Sequence, residues 1–294
     1  MNFEEIAIAF KNCNGDLSIT LKDYLLKQSY SPQTYESGIT CYHLNNYILS
    51  DTEKLWSKAI INALSADILL QNGYMSWGLV TSYYSSFFSI QALNRLQLNF
   101  NLWTQHSIIC QNINYVHQEV KFLKVDQSKG SHENQFHLFF KNYQLFKNRT
   151  GIDRYWNIGL QSSRYGFEPG IRNEVNYSLS EKHFFELTIT LSEHQRILKQ
   201  LRKSPFLDEP KSHKKTIDNI ARNSLMLCLS RIRMIAYILN FMANSNNEYK
   251  SYFIRNVKSR LDAINNNYPN RSAWIYQLLN EWLCFYPLET DDTV

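Results

Sequence analysis

The densest concentration of chemistry-bearing side chains lies in residues 147–172. Lys147, Arg149, Arg154, Arg164 and Arg172 alternate there with Tyr155, Trp156, Tyr165 and Phe167. Cations neutralise phosphates, and exposed rings stack unpaired bases at about 1–3 kcal/mol each. Arginine does both through its planar guanidinium. Arg149, Arg154, Tyr155, Trp156, Arg164 and Tyr165 are therefore candidate RNA-binding residues. Three acids, Asp153, Glu168 and Glu174, lie in or beside the segment. The alternative for the same residues is a folded-back loop whose rings are core and whose arginines face water.

Other chemistries leave no trace in the chain. There is no G-x-x-x-x-G-K-[ST] or G-x-G-x-x-G loop to cradle a nucleotide phosphate, and no G-x-S-x-G elbow. The eight histidines are scattered; His132 and His137, five apart, suit one metal poorly. No metal and no cofactor is expected. The five cysteines contain no C-x-x-C pair and read as buried reduced thiols. Met1 to Phe10 carries Glu4 and Glu5 and no basic stretch, unlike a secretory leader. The longest apolar runs, such as Leu225–Leu229, are too short to span a bilayer. A cytoplasmic location without membrane contact is expected.

Helices must position these residues. Only 9 glycines and 6 prolines interrupt 294 residues, which suits long helices better than short strands. The expected class is all-α: an up-and-down helical bundle over 51–204, an N-terminal helical extension over 1–50, and a C-terminal helical region over 211–294. Ser50 and Glu53 suggest a capping box opening a helix over 53–71 that stops at Asn72-Gly73. Residues 74–98 are apolar almost all round, which predicts a central helix. Gly78, Ser82, Ser85, Ser89 and Ala92 make a stripe of small residues on it, fit for close packing inside one subunit or for a homodimer seam. Ile109, Ile113, Val116 and Val120 predict a helix over 105–122, and Phe136, Phe139, Phe140, Tyr143 and Phe146 another over 132–147. Further helices are expected over 181–203, over 216–244 and, as a pair around Pro269, over 249–285. Arg231 and Arg233 sit in the apolar 216–244 helix, either in buried ion pairs or lining a cleft.

Three stretches share a pattern with a known family. Gly73-Tyr74-Met75-Ser76-Trp77 with Tyr83-Tyr84-Ser85-Ser86-Phe87-Phe88 and Ala92-Leu93 resembles a paired-tyrosine helix. Ser131-His132 followed by Phe139 looks like the Ser/Thr-His start of the next helix, and Glu168 to Tyr177 like a short Arg motif. Their order and spacing resemble the HEPN (higher eukaryotes and prokaryotes nucleotide-binding) helical domains, over about half the chain. The resemblance implies a helical bundle that often dimerises. Many such proteins are metal-independent ribonucleases of toxin–antitoxin, CRISPR and other antiviral systems. Others bind RNA, nucleotides or partner proteins without cutting.

The family's nuclease motif is Arg, often a polar residue, then His four to six residues on. Arg172 and Asn173 match its first half; Tyr177 stands at the His position. On this resemblance Arg172, Asn173 and Tyr177 are the candidate catalytic residues, and His132 has a structural place. Tyrosine, with a pKa near ~10 against ~6.5 for histidine, offers roughly a thousandfold less base at neutral pH. The expected function is an RNA-binding protein of a prokaryotic antiviral or toxin–antitoxin system, either a metal-independent ribonuclease with altered chemistry or, as the missing histidine favours, a module that binds RNA without cutting it. The alternative is a non-catalytic helical adaptor binding a partner protein. Expected partners are RNA, a second copy, or a protein of the same operon.

Overall fold

The structure is a computed structural model that describes residues 6, 9–13, 17–115, 117–125, 132, 134–139, 141, 172, 173, 176, 217–267 and 273–283. Most of these are helical, but they include a four-stranded antiparallel sheet. The elements are α1 (Leu21–Gln28), α2 (Pro32–Ser37), β1 (Ile39–Cys41), α3 (Asn45–Gln71), α4 (Met75–Leu96), β2 (Phe100–Trp103), β3 (Ser107–Asn114) and β4 (Glu119–Lys124). They continue with α5 (Ile217–Ser245), α6 (Asn247–Tyr252), a π-helical stretch Phe253–Lys258, α7 (Ser259–Asn267) and α8 (Ala273–Leu283).

The sheet corrects the all-α expectation. Its order is β1-β4-β3-β2, and β3 and β4 occupy the stretch predicted as a helix over 105–122. The residues themselves explain the error. Ile108, Cys110, Val120 and Phe122 alternate along the strands, and all four are fully buried, which is the period of a half-buried strand. Ile109, Ile113 and Val120, which make up the predicted helical stripe with Val116, are β-branched residues of the kind common in strands; Val116 lies outside the described residues. Ile113 is in fact 51% exposed.

The helix predicted from residue 53 begins at Asn45. Ser50 and Glu53 are consequently interior, not caps: the Ser50 hydroxyl donates to the Leu17 carbonyl, and Glu53 is buried. This helix runs straight through residue 50. Residues from before 50 and from 225 onward enter the same core, including Ile6, Phe10, Leu25, Ile232 and Leu279. The stop at Asn72-Gly73 holds, with Gly73 at φ 83° in the left-handed region that glycine tolerates.

Helix α4 is central, as its composition predicts. The small-residue stripe packs inside the subunit, against α3. Ser82, Ser85, Ser89 and Ala92 are fully buried, and the Ser85 hydroxyl donates to the Ala59 carbonyl at 2.7 Å. A Cβ on Gly78 would lie 2.5 Å from Cδ2 of Leu70. α5 packs against both helices, and the Trp56 indole N–H donates to the Ile232 carbonyl at 3.1 Å. α5 and the helices after it bear out the predicted C-terminal helices. Cys13, Cys41, Cys110 and Cys228 are buried thiols in no disulfide. No helix among the described residues is long and apolar enough to cross a membrane.

Candidate functional site

Tyr83 and Tyr84 are neighbours on α4 and so point about 100° apart around the helix. Tyr83 turns inward and is 4% exposed; Tyr84 is half-buried at the surface. One turn further on, Phe87 lies on the Tyr83 side, with ring centroids 6.2 Å apart. His132 and Phe136 form the matching pair on the helical residues between 132 and 139. The four rings interleave. His132 stacks on Phe87 at 4.1 Å and 11°, and Phe136 stacks on Tyr83 at 5.9 Å and 13°.

Polar contacts fix the register of this arrangement. The Asn94 amide donates to the Gln135 carbonyl at 2.9 Å, and the Gln135 amide donates to the Asn101 carbonyl at 2.9 Å. α4, β2 and the histidine-bearing segment are thereby tied together. The Tyr83 hydroxyl and His132 Nδ1 then meet at 2.7 Å.

Arg172 joins this cluster. Its guanidinium carbon lies 5.9 Å from the Tyr83 ring centroid, within cation–π reach. Nη1 donates to the Asn173 side-chain oxygen at 2.9 Å. Burial first, and the Arg172 charge second, lower the His132 pKa below its ordinary value. The imidazole is therefore neutral at pH 7 and has a lone pair for accepting a proton. Which nitrogen carries that lone pair depends on the tautomer. With Nδ1–H donating to Tyr83, the lone pair is on Nε2.

A second guanidinium lies deeper. Arg231 of α5 is fully buried, donates to the Ser86 hydroxyl, and sits 5.9 Å from the Phe136 ring and 5.5 Å from the Phe139 ring. Arg233 donates to the Tyr237 hydroxyl at 2.7 Å. Both arginines belong to the interior.

Two other buried charged groups are built from distant parts of the chain. Asp51 accepts from Arg95 Nε at 3.0 Å and from the Leu21 backbone N–H at 3.2 Å. Glu53 accepts from the Tyr249 hydroxyl at 2.9 Å and the Tyr252 hydroxyl at 3.1 Å, and Arg260 lies 3.8 Å away. Burial pushes the Glu53 carboxyl up to about 7, against the opposing hydrogen bond from Tyr249 and the charge of Arg260.

Of the residues predicted for the site, Arg172 and Asn173 are helical, and Arg172 lies beside the paired-tyrosine helix. Tyr177, Arg149, Arg154, Tyr155, Trp156, Arg164 and Tyr165 lie outside the described residues. The Tyr83–His132 contact is new. Its signal in the sequence is the shared four-residue spacing of Tyr83/Phe87 and His132/Phe136, which puts each pair on one helix face. No protein-family model matches the chain, and no curated protein or solved structure is detectably similar to it.

Proposed function

We propose that this chain binds RNA through Arg172, on a HEPN-like helical scaffold, with Tyr83 and His132 as the adjacent proton-handling pair. The biological setting that goes with this reading is prokaryotic antiviral defence or a toxin–antitoxin system. One observation carries it: the Arg172 guanidinium lies over Tyr83, whose hydroxyl holds the neutral imidazole of His132.

The chemistry available to such a cluster is metal-independent cleavage. A guanidinium fork grips a phosphate through two parallel charge-assisted hydrogen bonds. His132 Nε2 accepts the proton of the 2′-hydroxyl, whose oxygen attacks the phosphorus. The bond to the 5′ oxygen breaks, leaving a 2′,3′-cyclic phosphate, and the leaving oxygen takes up a proton from the imidazolium. His132 thus takes the part that the HEPN motif would give to position 177.

A non-catalytic reading is favoured by Tyr177 itself, since the chain lacks the motif histidine. In that case Arg172 holds phosphate, His132 is structural, and the chain serves as an RNA- or protein-binding adaptor. Incubation with a mixed tRNA pool, with and without EDTA, separates the two. EDTA-resistant cleavage that Arg172→Ala and His132→Ala abolish supports the enzyme. Salt-sensitive binding without cleavage supports the adaptor. Absence of both overturns the RNA reading.

A further inference from the structure

Helix α4 is buried on nearly every side. Beside Ser76, its accessible residues are Trp77, Thr81, Tyr84, Phe88 and Gln91, continuing from Tyr74 just before it. Spacings of three and four place these on a single line along the helix. Four of the six are aromatic. Tyr74 is 56% exposed and Trp77 63%. From Tyr74 to Phe88 the line runs about 21 Å at the helical rise. Tyr84 and Phe88 are half-buried, so two exposed rings lead into two partly covered ones, and such a row on an otherwise buried helix marks an interaction surface.

Charge identifies the occupant. α4 contains no acid, and the three acids of α3, Asp51, Glu53 and Asp67, are all buried. Lys54 and Lys58 of α3 are exposed, and the Lys58 ammonium lies 5.6 Å from the Phe88 ring centroid. On the other flank, His132 meets the Tyr84 ring edge-on at 6.4 Å, and Arg172 lies over Tyr83. The rings thus run between the cations Lys58 and Arg172, with no exposed carboxylate on either helix. A second copy docked on the same line about a two-fold axis would set this positive patch against itself. A polyanion that offers flat apolar faces fits both features.

We propose that Tyr74, Trp77, Tyr84 and Phe88 form a base-stacking track for single-stranded RNA leading to Arg172. This rests on the RNA-binding reading and adds to it the form of the substrate. Bases of a duplex are stacked on one another and cannot offer their faces to protein rings; those of an unpaired strand can. Stacking tolerates any base, so the track selects for strandedness and little for sequence.

The test uses the full chain and fluorescence anisotropy with labelled oligoadenylate, alone and paired with oligouridylate. Trp77→Ala, Tyr74→Ala and Trp77→Phe are compared with Arg172→Ala, and thermal melting confirms that each variant folds. Both rings are exposed, so their removal leaves the core intact. Trp77→Ala is expected to weaken binding of the single strand roughly 5- to 100-fold and Trp77→Phe to restore most of it. Duplex binding is expected to be unchanged. Single-strand binding that requires Arg172 but ignores Trp77 and Tyr74 overturns the track and leaves the RNA reading standing. No binding of either form overturns both. A dimer in sedimentation velocity that Trp77→Ala makes monomeric assigns the line to a second copy, and the track fails.

Discussion

The Tyr83 hydroxyl and His132 Nδ1 lie 2.7 Å apart, joining α4 to a residue 49 positions further along the chain. This bond orients the imidazole while Phe87 stacks on its face at 4.1 Å. The guanidinium of Arg172 disfavours a second cation beside it and so helps to keep the imidazole neutral.

That proximity has a spectroscopic consequence. Burial, and next Arg172, hold the His132 pKa down, so neutral His132 contributes stability above the ordinary histidine range, lost as pH falls through the lowered value. Arg172→Gln is expected to raise the His132 pKa, read from imidazole proton shifts across a pH titration. An unchanged midpoint would place Arg172 away from His132.

Glu53 makes the opposite contribution. Its carboxyl is raised from 4.5 to about 7 in the fold, so the stabilisation is full below about 4.5 and lost as pH rises through about 7. The shift corresponds to about 3 kcal/mol at most. Tyr249, Tyr252 and Arg260 face the group, with Lys54 adjacent in the chain. Glu53→Gln removes the titration while keeping an acceptor for Tyr249. Melting temperatures at pH 5 to 8 are expected to fall with pH in the wild type and to stay flatter in the variant; parallel curves would show that Glu53 does not titrate there.

At Gly78, α3 and α4 are too close for a side chain. The added methyl of Gly78→Ala would meet Leu70 at 2.5 Å, which is overpacking worth about 1–3 kcal/mol. Urea unfolding is expected to show a lower midpoint, even though alanine is the better helix former. A gain in stability would show that α3 and α4 pack less tightly.

The Asp51–Arg95 pair is 9% and 7% exposed at its side chains. Arg95→Ala leaves Asp51 buried against the Leu21 N–H without its cation, a loss of about 3–5 kcal/mol for a fully buried pair and less for this one. Asp51→Asn combined with Arg95→Met is expected to recover much of it in thermal melts. A double variant no better than Arg95→Ala would show that the loss does not come from the uncompensated Asp51 charge.

Local pattern carried the helices well. The all-round apolar character of 74–98 is what a central helix requires, and α4 is central; the apolar stretch 216–244 is a helix, α5. The sheet escaped notice because β-branched residues at 109, 113, 116 and 120 imitate a helical stripe while the true alternation, Ile108 and Cys110 with Val120 and Phe122, spans two strands. The cap assigned to Ser50 failed because its partner, the Leu17 carbonyl, lies 33 residues away. Glu53 is the extreme case: its hydroxyl donors come from 196 and 199 residues downstream. The contacts of Arg172 and His132 with Tyr83 span 89 and 49 positions, and their only local trace is the four-residue spacing that Tyr83/Phe87 and His132/Phe136 share.

The central claim is that Arg172 grips a phosphate. Its most direct measurement is the affinity for RNA of wild type and Arg172→Ala over a series of salt concentrations. The account predicts weaker binding in the variant and a slope of log K against log salt shallower by about one. Equal affinities with parallel slopes would contradict it.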